Sequence, residues 1–141
     1  MRGTPLNFSE AAGLALHTVD YLAQHGEALV STGEIAAALG VSEHHLAKVH
    51  QRLARAGIIA GTRGPGGGFR LARDADAIRL LEVYEAVEGP LPAMRCLLGR
   101  AECEKPGCIL GGLVAHVEDE VRTFLSDHTV GDLSRPAEVP A

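Results

Sequence analysis

No long apolar run occurs in this sequence. The longest, Cys108 to Ala115, falls far short of the roughly 20 residues a membrane span needs. No signal-peptide apolar core follows Met1-Arg2-Gly3-Thr4-Pro5, so a cytoplasmic protein with no membrane partner is expected. Excess positive charge is also lacking: 13 Lys and Arg stand against 18 Asp and Glu, a formal charge of −5. That balance argues against a nonspecific basic coat for nucleic acid. Cysteine is scarce and odd in number, at three. In a reducing compartment this disfavours a disulfide scaffold and leaves a metal or redox role open. Tryptophan is absent and aromatics make up 4%, yet hydrophobic residues reach 46% and charged residues 22%. Such a chain folds rather than remaining disordered. Its 141 residues are too few for two ordinary domains with independent cores. Catalytic constellations are missing as well. There is no Ser-His-Asp motif, no paired-carboxylate logic and no nucleotide loop, so the chain does not read as an enzyme.

The charge that is present is unevenly placed. From Ser42 to Arg73, Lys48, Arg52, Arg55, Arg63, Arg70 and Arg73 face Glu43 alone. This local +5 leaves −10 on the remainder. One surface is built for an anion. The surrounding pattern predicts a mainly α protein with a small β-hairpin. A first helix runs from an N-cap at Ser9 to about Gln24, stopped by Gly26. A short second helix follows Ser31-Thr32, and a third, capped by Ser42, runs from Glu43 to about Ala56 with Leu46, Val49 and Leu53 inward. Ile58-Ile59-Ala60 and Phe69-Arg70-Leu71 flank a glycine-rich tip as two strands. A fourth helix spans about Ala77 to Val87, ended by Gly89-Pro90. A last helix, about Cys108 to Ser126, carries Leu110, Leu113, Val114, Val117, Val121, Phe124 and Leu125 on one stripe. Leu113, Val117, Val121 and Phe124 exceed what one small core requires, which predicts pairing with a symmetry mate. The chain divides into a winged helix-turn-helix over 1–76, a helix, cysteine loop and dimerisation helix over 77–133, and a flexible tail over 134–141.

Helix, glycine-containing turn, capped helix and hairpin follow one another in the order of a winged helix-turn-helix. The second helix of such a pair enters the major groove N-terminus first. His44 and Lys48 lie one turn apart near that end, where base edges are in reach, with Gln51 on the same outward side. Arg52 and Arg55 lie further along, toward phosphates. The hairpin supplies Arg63 and Arg70 beside Gly66 and Gly67, whose backbone can approach a sugar-phosphate wall or minor groove. A loose surface loop is the plainer account of Gly64-Pro65-Gly66-Gly67-Gly68, and a solvated helix face that of the basic block. A phosphate cradle for nucleotide is disfavoured, because such a loop lies between a strand and a helix N-terminus. His44, His45 and His50 read as surface or DNA-facing residues rather than a metal site, and His17 as a packed polar residue.

Cys96, Cys103 and Cys108 form C-x6-C-x4-C in a Gly/Pro-rich segment. Three thiolates kept close by sequence can converge on one metal centre. Independent burial of three small side chains is the competing account, and the segment offers few large apolar residues to enclose them. Zinc would need a fourth ligand, and His116 lies two turns along the helix from Cys108. A metal-storage or electron-carrier protein would use the cysteines but leaves the basic hairpin unexplained.

Several strings give the chain a resemblance. They are Leu14-Ala15-Leu16-His17 with Tyr21-Leu22-Ala23, Val41-Ser42 leading to His45-Leu46, Arg63-Gly64-Pro65-Gly66-Gly67-Gly68-Phe69-Arg70-Leu71-Ala72-Arg73, and Glu85-Ala86-Val87-Glu88-Gly89. Over residues 8 to 133 the chain resembles the IscR/NsrR/CymR-type winged-helix transcriptional regulators, and the hairpin string carries most of the likeness. The resemblance implies a homodimer joined through a long C-terminal helix and bound to a near-palindromic double-stranded operator. It also implies an iron–sulfur cluster, of the 2Fe-2S kind, on Cys96, Cys103 and Cys108. Relatives that sense nitric oxide add an N-terminal carboxylate from the partner subunit, and by location Glu10 is the candidate here. The chain departs from the pattern in its cysteine spacing, in Gly111 where the iron–sulfur regulator has His, and in Ala47 where it has an acid. Operator preference therefore does not carry over. The expected function is repression or activation of transcription under redox, nitric oxide or iron–sulfur control. The alternative is the same fold without a cluster, governed by a small molecule or partner protein.

Overall fold

A computed structural model describes residues 8–91, 96–98 and 104–135. The first helix, α1 (Glu10–His25), begins where Ser9 Oγ accepts the Ala12 amide at 3.1 Å and ends at Gly26. Short α2 (Thr32–Leu39) is capped by Ser31, and α3 (Glu43–Arg55) by Ser42. Each cap satisfies an amide that the first helical turn leaves without a carbonyl. Strands β1 (Ile59–Thr62) and β2 (Gly68–Leu71) pair antiparallel, Ile59 against Leu71 and Thr62 against Gly68. A 3-10 turn over Ala75–Ala77 leads into α4 (Leu80–Glu88), then α5 (Ile109–Asp127) and α6 (Val130–Ser134). The mainly α fold with a hairpin wing is as the sequence predicts.

Helix α1 is the axis of the core. Ala12, Ala15, Val19 and Leu22 are fully buried, and α3, α4, α6 and β2 all pack on this helix. Alanines at two of those positions let neighbouring helices approach closely. Leu46 and Leu53 of α3, Ile35, Ile58, Ile59, Ile78, Val83, Tyr84 and Val130 are among the residues that join them in one cluster. Each such aliphatic side chain contributes about 1.5–3 kcal/mol on leaving water.

The start of α4 differs from the sequence expectation. Ala77 ends the 3-10 turn, Ile78 is extended, and the helix begins only at Leu80. The reason is a long-range pairing. The Val130 amide donates to Ile78 O at 2.9 Å and the Leu80 amide to His128 O at 3.0 Å. Two backbone hydrogen bonds and a fully buried Ile78 outweigh the helical preference of this stretch. The same bridge fixes α6, which local periodicity does not announce. At the expected start of the tail, Ser134 Oγ donates to Val130 O at 3.3 Å and Arg135 pairs with Asp76. Residues 136–141 lie outside the described part.

The stripe of α5 is only partly enclosed by this chain. Val114 and Leu125 are buried, whereas Leu113 is 50% and Phe124 57% exposed. Ile109 and Leu110 at the start of the helix are exposed as well.

At the wing tip, the Gly67 amide donates to Gly64 O at 2.9 Å, closing a turn with Pro65 and Gly66 at its centre. Gly66 has φ +75°, so this is a type II turn, with Pro at its second position and a left-handed residue at its third. A Cβ on Gly67 would fall 2.1 Å from Thr62 O. Gly67→Ala should therefore lower stability by about 1–3 kcal/mol, read as a reduced thermal midpoint. A midpoint equal to wild type would show that the tip does not depend on this close approach.

Candidate nucleic-acid interface and cysteine segment

The outward side of α3 carries the residues expected there. His44, Lys48, Gln51, Arg52 and Arg55 are exposed, while Leu46, Val49 and Leu53 are buried beneath them. Ser42 Oγ accepts the His45 amide at 3.4 Å. His44 and His45 are both exposed, with ring centroids 6.2 Å apart. On the wing, Arg63 and Gly66 are exposed, and Gly67 is half-buried against its own hairpin. Arg70 Nη1 pairs with Glu27 at 3.1 Å, which tethers β2 to the segment after α1. At the exit of the wing, Arg73 Nη2 donates to Glu82 at 2.8 Å and holds that carboxyl below its ordinary range. Glu82 also accepts the Arg79 amide at 3.3 Å, so one carboxylate joins the end of the hairpin to the start of α4.

The wing is locked to the helix-turn-helix by backbone and ring contacts. Val30 and Phe69 exchange hydrogen bonds, 2.9 Å from the Val30 amide and 2.7 Å from the Phe69 amide. The Phe69 ring meets His50 edge-on, with centroids 5.1 Å apart. His50 is not surface or DNA-facing, as the sequence reading has it; it is fully buried. Its Nε2 lies 3.1 Å from Thr18 Oγ1 and its Nδ1 2.9 Å from Thr32 Oγ1. A neutral imidazole donates through one nitrogen and accepts through the other, so two hydroxyls satisfy it. Burial pushes its pKa down to about 4, because a charged ring would be stripped of water. Position 50 lies four residues after Leu46 and three before Leu53, so the inner-face periodicity itself pointed to burial. His17 departs in the opposite direction. It is exposed, and its Nδ1 lies 2.7 Å from Gly13 O of its own helix.

Arg52 is placed differently from the other cations. Its Nη1 donates to Val87 O at 2.9 Å, across from α3 to the last turn of α4. Ser9 bonds Glu88 at that same end, and Arg122 Nη2 of α5 donates to Leu91 O at 3.2 Å. Glu10 is exposed at the first position of α1, beside a groove of about 220 Å³ shared with His45, Lys48 and Arg52.

Cys96 is buried and Cys108, at the N-cap of α5, is half-buried; neither is in a disulfide. Cys103 lies outside the described residues. Among the described residues no three His, Cys, Asp or Glu side chains converge as a metal site. The donor chemistry nonetheless suits a thiophilic centre: Cys96 follows the end of α4, and Cys108 sits where α5 begins.

A capped second helix with an exposed cationic side, braced by a two-stranded hairpin, defines the winged helix-turn-helix class. Within that class the chain belongs to the Rrf2 family, whose model, described as an iron-dependent transcriptional regulator, matches residues 8–136. The chain is 34% identical over 111 residues to the HTH-type transcriptional regulator IscR of Vibrio atlanticus, covering 78% of this chain and 64% of that one. With IscR of Escherichia coli O1:K1 the identity is 33%, over 78% of this chain and 68% of the relative. The match spans 62–66% of the length of the Vibrio and Photobacterium relatives, less than two thirds. Among solved structures, CymR, the global cysteine regulator of B. subtilis, superposes with a TM-score of 0.76. Its identity is 29%, over 89% of this chain and 94% of that one. IscR of T. potens shares the fold, with a TM-score of 0.72, 23% identity and 94% and 91% coverage.

The buried histidine gives a pH prediction. With a folded pKa near 4 against 6.5 for the free side chain, the unfolded chain takes up a proton that the folded chain refuses. Stability is then full above about pH 6.5 and is lost as pH falls toward 4. Denaturant titrations at pH 7 and pH 5 should differ by about 2 kcal/mol more in wild type than in His50→Gln. An identical pH dependence in the two proteins would remove His50 as the source.

Proposed function

We propose that the protein is a cytoplasmic, DNA-binding transcriptional regulator that reads a double-stranded operator as a homodimer. The observation that carries this is the exposed set His44, Lys48, Gln51 and Arg55 on a capped α3 fixed to a wing bearing Arg63. Residues 1–76 form the reading head and 77–133 the sensing and pairing part. Lys48, near the N-terminus of α3, reaches a base edge, while Arg55, Arg63 and Arg70 meet phosphates, with Gly66 at the approaching tip. The exposed Leu113 and Phe124, with the half-buried Val117 and Val121 between them, form the face that α5 offers to a second copy.

In this reading Cys96, Cys103 and Cys108 would hold an iron–sulfur cluster of the 2Fe-2S kind, with Glu10 of the partner subunit as the candidate fourth ligand, and its presence would modulate operator binding. Such a cluster supplies one-electron redox chemistry and reactivity toward nitric oxide. The chain's own contribution is mechanical: ligation would order the segment between α4 and α5. A tenfold change in operator affinity needs only ~1.4 kcal/mol of difference between the two segment states. Gly111, where the resemblance would place a ligating His, favours a second reading, the same regulator without a cluster and governed by a small molecule or partner protein.

The test uses an operator selected from random DNA. Affinity is measured for the anaerobically purified protein, its cluster-free form and Cys103→Ala. The expected result is an iron- and sulfide-containing wild type whose affinity differs from both other forms. Equal affinities with folding intact would leave the second reading. Assembly is tested separately by sedimentation: Val117→Glu should give monomers, and an unchanged dimer would place the interface elsewhere.

A further inference from the structure

The carboxyl end of α4 is a junction of three other helices. Within five residues, Val87 O accepts from Arg52 of α3, Glu88 from Ser9 at the start of α1, and Leu91 O from Arg122 of α5. Carbonyls of a last helical turn have no partner within their own helix. Val87 O is supplied with one by a cation from another helix, an arrangement the helix dipole also favours. Arg52 lies one turn beyond Lys48 on α3, so a tie at Arg52 fixes the height and rotation of the turn that presents Lys48. Five residues after Leu91 the chain reaches Cys96.

We infer that Arg52 is a positioning residue: it binds Val87 O rather than a DNA phosphate, and through that bond the end of α4 sets the placement of the recognition helix. This rests on the reading of the chain as a DNA-binding regulator and corrects one assignment within it. The cations of the region then divide by task. Among the described residues Arg55 and Arg63 make no hydrogen bond or ion pair and are exposed, and Arg70 pairs with the exposed Glu27, whereas Arg52 directs Nη1 to a backbone carbonyl within the fold. Any change in the segment that starts after Leu91 acts on α4's last turn, and Arg52 passes it to α3.

The two roles make opposite demands on charge. A phosphate contact needs the cation, and its loss reduces the slope of log affinity against log salt by about one. A carbonyl tie needs only an N–H donor. Operator affinity is therefore measured over a salt series for wild type, Arg52→Met, Arg52→Gln and, as the phosphate reference, Arg63→Ala. The expected result is that Arg52→Met weakens binding about tenfold, which corresponds to ~1.4 kcal/mol, with the wild-type slope retained. Arg52→Gln, which keeps a donor and loses the charge, should recover at least half of that loss on a logarithmic scale. Arg63→Ala should flatten the slope. In Arg52→Met the affinity ratio between cluster-loaded and cluster-free protein should also collapse toward one.

A slope flattened equally in Arg52→Met and Arg52→Gln, without recovery by Gln, would make Arg52 a phosphate contact and overturn the inference. So would wild-type affinity in Arg52→Met. A wild type with no difference between loaded and cluster-free forms removes the cluster reading and the relay with it, while the salt series still decides the positioning role. A wild type that selects no operator removes the DNA reading as a whole.

Discussion

The reading head depends on a neutral histidine at its centre. His50 ties α3 to α1 through Thr18 and to the start of α2 through Thr32, and its ring carries the wing through Phe69. An aliphatic residue here would leave the buried Thr18 hydroxyl and the half-buried Thr32 hydroxyl without this partner. A charged residue would be equally unsuited, since nothing there offsets its desolvation. The relative orientation of recognition helix and wing therefore rests on hydrogen-bond directions, which are narrower than the tolerances of apolar packing.

Around that centre the fold separates rigidity from charge. Alanine and branched aliphatic residues of α1 give a close-packed axis on which α3 and β2 both rest, and this packing sets the spacing of the outward cations. The acidic remainder of the chain follows the same logic. With −10 outside the basic stretch and +5 within it, a polyanion is attracted to the basic stretch and disfavoured by the remainder taken as a whole. Such a charge distribution orients a charged partner on encounter.

Most of the fold was legible because its signals are local. Serines 9, 31 and 42 announce three helix starts, glycines 26 and 40 two ends, and Pro65-Gly66 the turn of the wing. Inward spacing of Leu46, Val49 and Leu53 gave the outward face of α3 without further information. What was not legible depends on residues far apart in sequence. Ile78 and Arg79 look helical until 128–130 come to pair with them, and α6 exists because that pairing holds it. By spacing Arg52 lies nearer the edge of the buried face than Arg55, yet only the arrival of α4 assigns it a carbonyl. His50 was different: its burial was written in the period of its own helix, and a polar side chain obscured it. The cysteines are close in sequence, but Cys103 lies outside the described residues and no third donor converges with Cys96 and Cys108 among the described ones.

The short bridge between 78–80 and 128–130 has a topological consequence. It closes α4, the cysteine segment and α5 into a ring of chain whose two ends meet at one fixed seam. A ring sealed in this way cannot relieve a change of length or tension by letting a chain end slide. The seam therefore fixes where α4 begins relative to where α5 ends. Helix α4 packs on α1 and α3 and α5 presents the open apolar stripe, so the seam joins the side that supports the helix-turn-helix to the side this chain leaves uncovered.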